Sequence, residues 1–498
     1  RDRLRGPSRT RGARPLEVTR RQRLTLLAAI LGSGVATLDG SIVNVALPAI
    51  ERDLGGGLAG QQWVSNAYLL ALASLILIGG SLGDIYGERR VFALGIAAFG
   101  VLSVACAVAP TIETLVAARA LQGAAGALVT PSSLAIIVAA FTPSERGAAI
   151  GSWTAWGGIA AIIGPLAGGW IVDQVSWRWI FALNVPLVLV TLVMILAAVP
   201  PAPARSDRHV DVVGATLCVV GLGGIVFALI EQPHYGWSSP VIVVPLSVGL
   251  LAFAGFIVHE RRAKDPMLQL ELFTHRNFAV GNIETFAMYA GLAILFFFLV
   301  IFLQQVAGYS ALESGLATLP VTIVIFALSR RFGALADRFG PRIFMGAGPV
   351  VAGAGILLLL RTGLHTSYVT DVLPAMLVFA LGLALTVAPL VATVLADVEE
   401  RDAGIASAIN NAVARVAALI GVSVVGVVVA QTLVGDTFAP NEASVEAFHQ
   451  VVVICSALVA AGGLVGALGI VNPRRTVEAR RCPAGQFVAV PEPAVDHV

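Results

Sequence analysis

Charge is scarce in this chain. Only 12% of its 498 residues are Asp, Glu, Lys or Arg, about half the share of about 25% in a soluble domain. With 57% hydrophobic residues and a mean hydropathy of +0.86, nearly five hundred residues cannot hide their apolar surface in water-soluble cores. The composition excludes a soluble enzyme, a nucleic-acid binder and a disordered scaffold, and makes lipid the solvent. Lysine is almost missing: Lys264 is the sole lysine among 32 basic residues. A P-loop needs a lysine in a glycine-rich turn, and Lys264 lies instead in His-Glu-Arg-Arg-Ala-Lys-Asp-Pro. No bound ATP is expected to power this protein. Cysteine is sparse too. Cys106, Cys218, Cys455 and Cys482 show no CxxC spacing, so they read as plain thiols and no metal site is expected. All seven histidines (209, 234, 259, 275, 365, 449 and 497) fall in loops, tails or span edges. If protons move through this chain, carboxylates must carry them.

What is present is apolar length. A hydrocarbon core of about 30 Å needs about 20 apolar residues as a helix. Such stretches occur at 24–48, 63–82, 91–110, 112–138, 147–172, 179–199, 212–230, 240–258, 278–303, 315–334, 343–361, 372–395, 404–430 and 449–471. They are too long and continuous for barrel strands, so the expected fold is an all-α integral membrane protein with fourteen transmembrane helices. Placing the N-terminus in the cytoplasm puts 27 of the 32 basic residues on the cytoplasmic side. Arg52, Arg178 and Arg361 fall on the other side, and Arg119 and Arg415 inside spans. This bias places a multi-pass protein in the plasma membrane with both termini in the cytoplasm. No outer loop exceeds about twenty residues, so function must lie within the bundle.

Two short loops on the cytoplasmic side share a pattern. The first runs Gly80-Ser81-Leu82-Gly83-Asp84-Ile85-Tyr86-Gly87-Glu88-Arg89-Arg90, the second Gly333-Ala334-Leu335-Ala336-Asp337-Arg338-Phe339-Gly340-Pro341-Arg342. Glycines allow a tight turn, and a carboxylate and a guanidinium are set to pair, either as a latch between states or as a plain anchoring turn. The repetition favours a latch. It also implies two similar halves around a cavity. The expected layout is an Arg-rich tail (1–23), a six-helix half (24–199), two inserted helices with linkers (200–277), a second six-helix half (278–471) and a C-terminal tail (472–498).

The loop resembles the signature of the major facilitator superfamily. Leu38-Asp39-Gly40-Ser41-Ile42-Val43-Asn44-Val45-Ala46-Leu47-Pro48 resembles the first-helix signature of drug:proton antiporters. Arg119-Ala120-Leu121-Gln122-Gly123 is similar to their fourth-helix motif, and Gly164-Pro165-Leu166-Ala167-Gly168-Gly169 to their fifth-helix antiporter motif. Trp177-Arg178-Trp179-Ile180-Phe181-Ala182-Leu183-Asn184-Val185-Pro186 resembles the segment that follows. Fourteen spans point to the EmrB/QacA-type branch. Ile85 and Glu88 stand where the family loop often has basic residues, and Ala160 where the antiporter motif usually has glycine. The resemblance implies a major facilitator fold, two six-helix halves plus two inserted central helices. It also implies a proton gradient as the energy source and no cofactor, with a small organic substrate and protons as partners, acting as a monomer.

Charges inside the bilayer are expensive and mark an ion path or cavity. Four qualify. Asp39 lies roughly 13 Å below the outer end of the first span and Arg119 roughly 10 Å below the same surface. The two are therefore expected to face each other, and the resemblance assigns that neighbourhood to proton coupling. A static packing pair is the alternative. Glu284, about six residues into the ninth span amid apolar neighbours, is a second protonatable candidate; it could also reach back to the interface. Arg415 is deeper, and its pairing with Glu284 is unsupported. Thr37, Ser41 and Asn44 form a separate stripe that suits interhelical hydrogen bonds. Gln122, Tyr289, Asn410 and Arg415 are candidates to line a substrate cavity. The ninth-span aromatics Phe286, Tyr289, Phe296, Phe297, Phe298 and Phe302 suit ligand stacking less than packing. The Gly164, Pro165, Gly168 and Gly169 run allows close helix approach and a bend. Together these features predict an exporter that exchanges protons for amphipathic or apolar organic compounds. A dedicated exporter of one metabolite or antibiotic is the rival, and a non-transporting receptor or scaffold a remote third.

Overall fold

The computed structural model describes residues 19–200, 210–263, 266–396, 398 and 403–472. The tails to residue 18 and from residue 473, with Lys264 and Cys482, lie outside that set. Fifteen α-helices are present among the described residues: α1 Arg20–Leu54, α2 Gly57–Tyr86, α3 Glu88–Ala107, α4 Ile112–Ala140, α5 Pro143–Gln174, α6 Arg178–Ala182, α7 Asn184–Ala198, α8 Val212–Tyr235, α9 Pro240–Glu260, α10 Arg276–Gln305, α11 Ala311–Phe339, α12 Pro341–Leu357, α13 Leu373–Ala396, α14 Ala403–Ala430 and α15 Glu442–Gly469. Counting α6 with α7 as one, fourteen are long and apolar enough to cross a membrane.

Most helices outrun the apolar stretches that announce them, because polar caps extend their ends past the lipid. Thr19 accepts from the Gln22 amide at 3.2 Å, and the Gln22 side chain accepts from the Thr19 amide at 3.0 Å. Ser310 and Glu313 start α11 in the same reciprocal way. Asn441 caps α15 through the Ser444 amide at 2.8 Å. Each satisfies backbone donors that a helix start leaves unpaired.

The repeat seen in the loops extends to the packing. α1 packs on α4, α5 and α7, α2 on α4, and α3 on α4 and α7. Likewise α10 packs on α13, α14 and α15, α11 on α13, and α12 on α13 and α15. The seams between the two sets are α2 with α14 and α5 with α11, an equivalent pair under the same correspondence. The antiparallel pair α8–α9 lies outside this core. Its α8 covers the α2–α14 seam, where the Trp63 indole donates to Glu231 Oε1 at 2.7 Å.

Arg89 and Arg342 of the two loops are taken up by helix ends in this state. Gly87 and Gly340 sit at φ +90° and +91°, conformations that favour glycine and explain the shared turn. Beyond each, the arginine turns to its own half. Arg89 Nη2 donates to the Leu196 carbonyl at the end of α7 at 2.8 Å, and Arg342 Nε to the Ala467 carbonyl near the end of α15 at 2.6 Å. Arg21 reaches Ala198 at 3.0 Å and Arg276 reaches Gly469 at 2.8 Å. The last helix of each half thus ends under two guanidinium groups, which satisfy free carbonyls and complement the helix dipole. Asp337 is exposed and makes no ion pair with Arg338 or Arg342 among the described residues. Arg338 lies over the Phe339 ring instead, and Arg90 is exposed.

The two faces of the bundle differ. On the far face, opposite the start of α1, both seams are closed. Gln62 donates to the Val422 carbonyl at 2.8 Å and Asn66 to Ser423 Oγ at 3.0 Å. The Leu58 amide donates to the Asp436 carbonyl at 2.7 Å. On the other seam the Asp173 carboxylate accepts from the first amides of α11, Ala311 at 3.0 Å and Leu312 at 2.8 Å. On the near face the seams part. Gly147, Gly151, Gly157 and Gly158 of α5 have no atom within 4 Å of an added Cβ, and Gly151, Ser152, Thr154, Ala155 and Trp156 are exposed. Among the described residues the bundle is closed on the far face and open on the near one.

Candidate functional site

Arg119 and Gln122 lie three residues apart on α4, so both side chains leave the same face of the helix. Gly123 sits where any side chain would collide with the Tyr68 backbone of α2. That close approach brings Arg119 Nε to the Val64 carbonyl at 3.2 Å and its guanidinium over the Tyr68 ring at 4.3 Å. The remaining arm of Arg119 pairs with Asp39 of α1. Asp39 Oδ1 also accepts from Gln122 at 3.1 Å and from Asn184 of α7 at 2.9 Å. Ser103 of α3 ties Gln122 and Asn184 together at 2.9 and 3.3 Å. Asp39 is 2% exposed and Arg119 1%. Five polar side chains from α1, α3, α4 and α7 therefore form one network inside the first half. The expected meeting of Asp39 and Arg119 is present. Ser103 and Asn184 had no assigned role; each is a lone polar residue in an apolar span, and only the fold shows that they converge.

Between the halves lies a cavity of about 430 Å³. Arg119 lines it, with Asp39 behind. Tyr68, Trp153, Asn411 and Arg415 also line it. Thr37 and Asn44 of α1 face this space as well, rather than serving an interhelical contact; Thr37 donates to its own helix at the Ser33 carbonyl, 3.0 Å away. Of the expected cavity residues only Arg415 lies on the lining. Gln122 belongs to the Asp39 network. Asn410 faces α10, donating to Asn282 at 3.1 Å and Thr285 at 2.8 Å. Tyr289 packs against the large hydrophobic cluster that runs through both halves. The ninth-span aromatics also pack there: Phe302 stacks on Phe448 with centroids 4.2 Å apart, and Phe296 meets Phe379 at 6.2 Å.

Glu284 is fully buried, but it turns away from the cavity. It lies against Gly466 of α15, where an added Cβ would strike its carboxylate. Neither carboxylate oxygen has a hydrogen-bond partner among the described residues, and Arg415 does not reach it. Among the described residues no cation pairs with this group, so exchanging it for an amide removes no ion pair there. Glu284→Gln is expected to keep thermal stability within about 1 kcal/mol of the native protein, measured as the melting temperature in detergent. A fall of several times that would mean that Glu284 has an ionic partner.

The antiporter motif forms a junction. Gly164 and Gly168 seat α5 on Ser41 and Ile42 of α1. Gly169 abuts Ala311 and Leu312 of α11, and the Pro165 carbonyl sits where a Cβ at Gly315 would be, 2.5 Å away. The motif thus packs α5 onto its own half and onto the opposite half at the closed far face. Arg178 and Trp177 close the same face nearby. Both bond Asp53, the indole at 2.9 Å.

Comparison with known proteins agrees with this architecture. The family model of the Major Facilitator Superfamily matches residues 29–422. A "Multidrug resistance protein Stp" of Mycobacterium tuberculosis (strain CDC 1551 / Oshkosh) is 34% identical over 93% of this chain and 86% of its own length. The "Puromycin resistance protein pur8" of Streptomyces alboniger is 37% identical over 81% of this chain and 80% of its own. Among solved structures, a bacterial homologue of the human lysosomal transporter Spinster, in an inward-facing and unoccupied conformation, superposes with a TM-score of 0.67. It shares 16% identity over 91% of this chain and 97% of that one. With twelve of its fourteen long apolar helices in two equivalent sets, a family model across most of its length and relatives this similar, the chain belongs to the major facilitator superfamily, a family of membrane transporters rather than enzymes.

Proposed function

We propose that this protein exports small organic molecules in exchange for protons, by alternating access of the central cavity. The observation that carries the reading is the placement of Asp39. It is a buried carboxylate whose guanidinium partner, Arg119, lines the cavity. The asymmetry of arginine puts the near face in the cytoplasm, so the cavity opens inward. Protonation of Asp39 removes the charge that holds Arg119, and the freed guanidinium changes what the cavity can bind. Substrate and proton then compete through one pair, which is the requirement of exchange. Gln122, Asn184 and Ser103 hold the carboxylate in place in both protonation states. Glu284 is a second protonatable carboxylate, shielded from the cavity, and its removal is expected to slow exchange without abolishing it. The loops around Asp84 and Asp337 are assigned to closure of the cytoplasmic face in the opposite state, where α2 and α11 approach.

The relatives named for drug and antibiotic resistance support export over uptake. One of them is named for a single antibiotic, which favours a dedicated exporter as the second reading. The test uses purified protein in liposomes with an imposed pH gradient, an enclosed pH dye, and a panel of lipophilic dyes and antibiotics. Substrate-dependent proton movement is expected. Substrate flux that ignores the pH gradient, or no flux across the panel, would overturn the proposal.

A further inference from the structure

The central cavity carries one positive charge that no described residue answers. None of the residues that line it is Asp or Glu. Of its two arginines, Arg119 is matched by Asp39. Arg415, on α14 across the seam, makes no hydrogen bond or ion pair among the described residues, and its Nε is buried without an acceptor. The same is true of the indole Nε1 of Trp153 on α5. The nearby hydroxyls of Ser33, Thr37 and Thr154 donate to carbonyls of their own helices, and no described residue accepts from Arg415 Nε or Trp153 Nε1. A buried guanidinium Nε and a buried indole N–H, both without an acceptor among the described residues, are costly to hold. A ligand with anionic oxygen acceptors offsets that cost, whereas an organic cation adds to it.

We propose that the cavity is built for aromatic organic anions. Carboxylate, sulfonate or phenolate oxygens dock on Arg415 and Trp153, and the ring system lies against Tyr68, Leu69 and Leu72. This inference rests on the export reading and narrows its substrate class. It also makes Arg415 and Trp153, one from each half, the residues that sense an occupied cavity from both sides of the seam.

The test compares two dyes with one xanthene skeleton and opposite charge. Fluorescein, an anion, and rhodamine 6G, a cation, are titrated by fluorescence anisotropy onto the full chain in nanodiscs at pH 7.5. Fluorescein is expected to bind more tightly. Arg415→Gln is expected to weaken it by about 10- to 100-fold, the worth of a charge-assisted hydrogen bond, and to leave rhodamine 6G unchanged or tighter. Arg415→Lys, which keeps the charge, should restore part of the anion preference. Trp153→Phe should weaken fluorescein alone, to a smaller extent. Tighter binding of rhodamine 6G by the native protein, or equal losses for both dyes in Arg415→Gln and Arg415→Lys, would overturn the proposal. Failure of native protein to bind fluorescein would overturn it as well. The liposome assay separates the two readings. Proton flux driven by cations alone removes this inference and leaves antiport. Anion-selective binding without proton flux removes antiport and leaves the inference.

Discussion

Asp39→Asn is expected to abolish substrate-driven proton movement in liposomes while leaving substrate binding measurable. The substituted amide keeps the size of the side chain but cannot take up and release a proton. Its NH2 group also points a donor at Arg119, Gln122 or Asn184, all of which already donate to Asp39. The variant leaves Arg119 charged, 1% exposed and without its partner, which costs about 3–5 kcal/mol for a buried pair. Lost activity alone could therefore reflect damaged packing. The double variant Asp39→Asn with Arg119→Met removes both charges. Apolar replacement of a whole buried pair is often neutral, so its melting temperature should return toward that of the native protein. Proton movement should not return with it. If the double variant recovers both, the pair is structural and coupling lies elsewhere. The Tyr68 and Phe181 rings flank Arg119 and give a methionine there apolar neighbours, which makes the recovery a fair expectation.

The fold was legible because membrane helices announce themselves by length and composition alone. Every apolar stretch in the sequence corresponds to a helix, and the errors fall at ends such as α11 and α15, where capping residues rather than hydropathy set the boundary. The repeat was visible in two loops because Gly87 and Gly340 must adopt the same unusual backbone, and identical constraints leave identical residues. Depth arithmetic sufficed to bring Asp39 and Arg119 together, since both lie on regular helices anchored at one surface. Depth does not fix the rotation of a helix about its axis, and Asn410 and Tyr289, expected on the cavity, face elsewhere. The loop arginines differ from expectation for another reason. Charge complementarity pointed to Asp84 and Asp337, but the free carbonyls at the ends of α7 and α15 are equally good acceptors, and they belong to helices remote in sequence. The far-face closure was legible only in its glycine motif. Each of its hydrogen bonds across the seams other than Asn66 to Ser423 has a backbone group on at least one side, such as the Val422 carbonyl under Gln62 or the Leu58 amide on the Asp436 carbonyl, and backbone groups look alike at every position of a sequence.

That closure yields the second large effect. Valine at Gly169 places a Cβ 2.6 Å from Leu312 Cα and 2.7 Å from the Ala311 carbonyl, both backbone atoms that no rotamer change can move. Sliding α5 along α11 offers little relief, because the Pro165 carbonyl is seated on Gly315 one turn away and the Asp173 carboxylate grips the first amides of α11 one turn further on. The strain can be shed by parting the two halves at the far face. Overpacking of this kind costs about 1–3 kcal/mol, which shifts a two-state equilibrium by about 5- to 150-fold. Gly169→Val is therefore expected to favour a form open at the far face and to lose exchange while remaining folded. Spin labels at the exposed positions Val175 and Val434, which follow the far-face ends of α5 and α14, should move apart by pulsed electron paramagnetic resonance. Gly158→Val is the control. Its added side chain meets nothing within 4 Å, so the label distance should stay as in the native protein. Unchanged distances in a folded Gly169→Val would mean that α5 and α11 yield locally. The antiporter motif would then be a packing device within one state, with no influence on the balance between states.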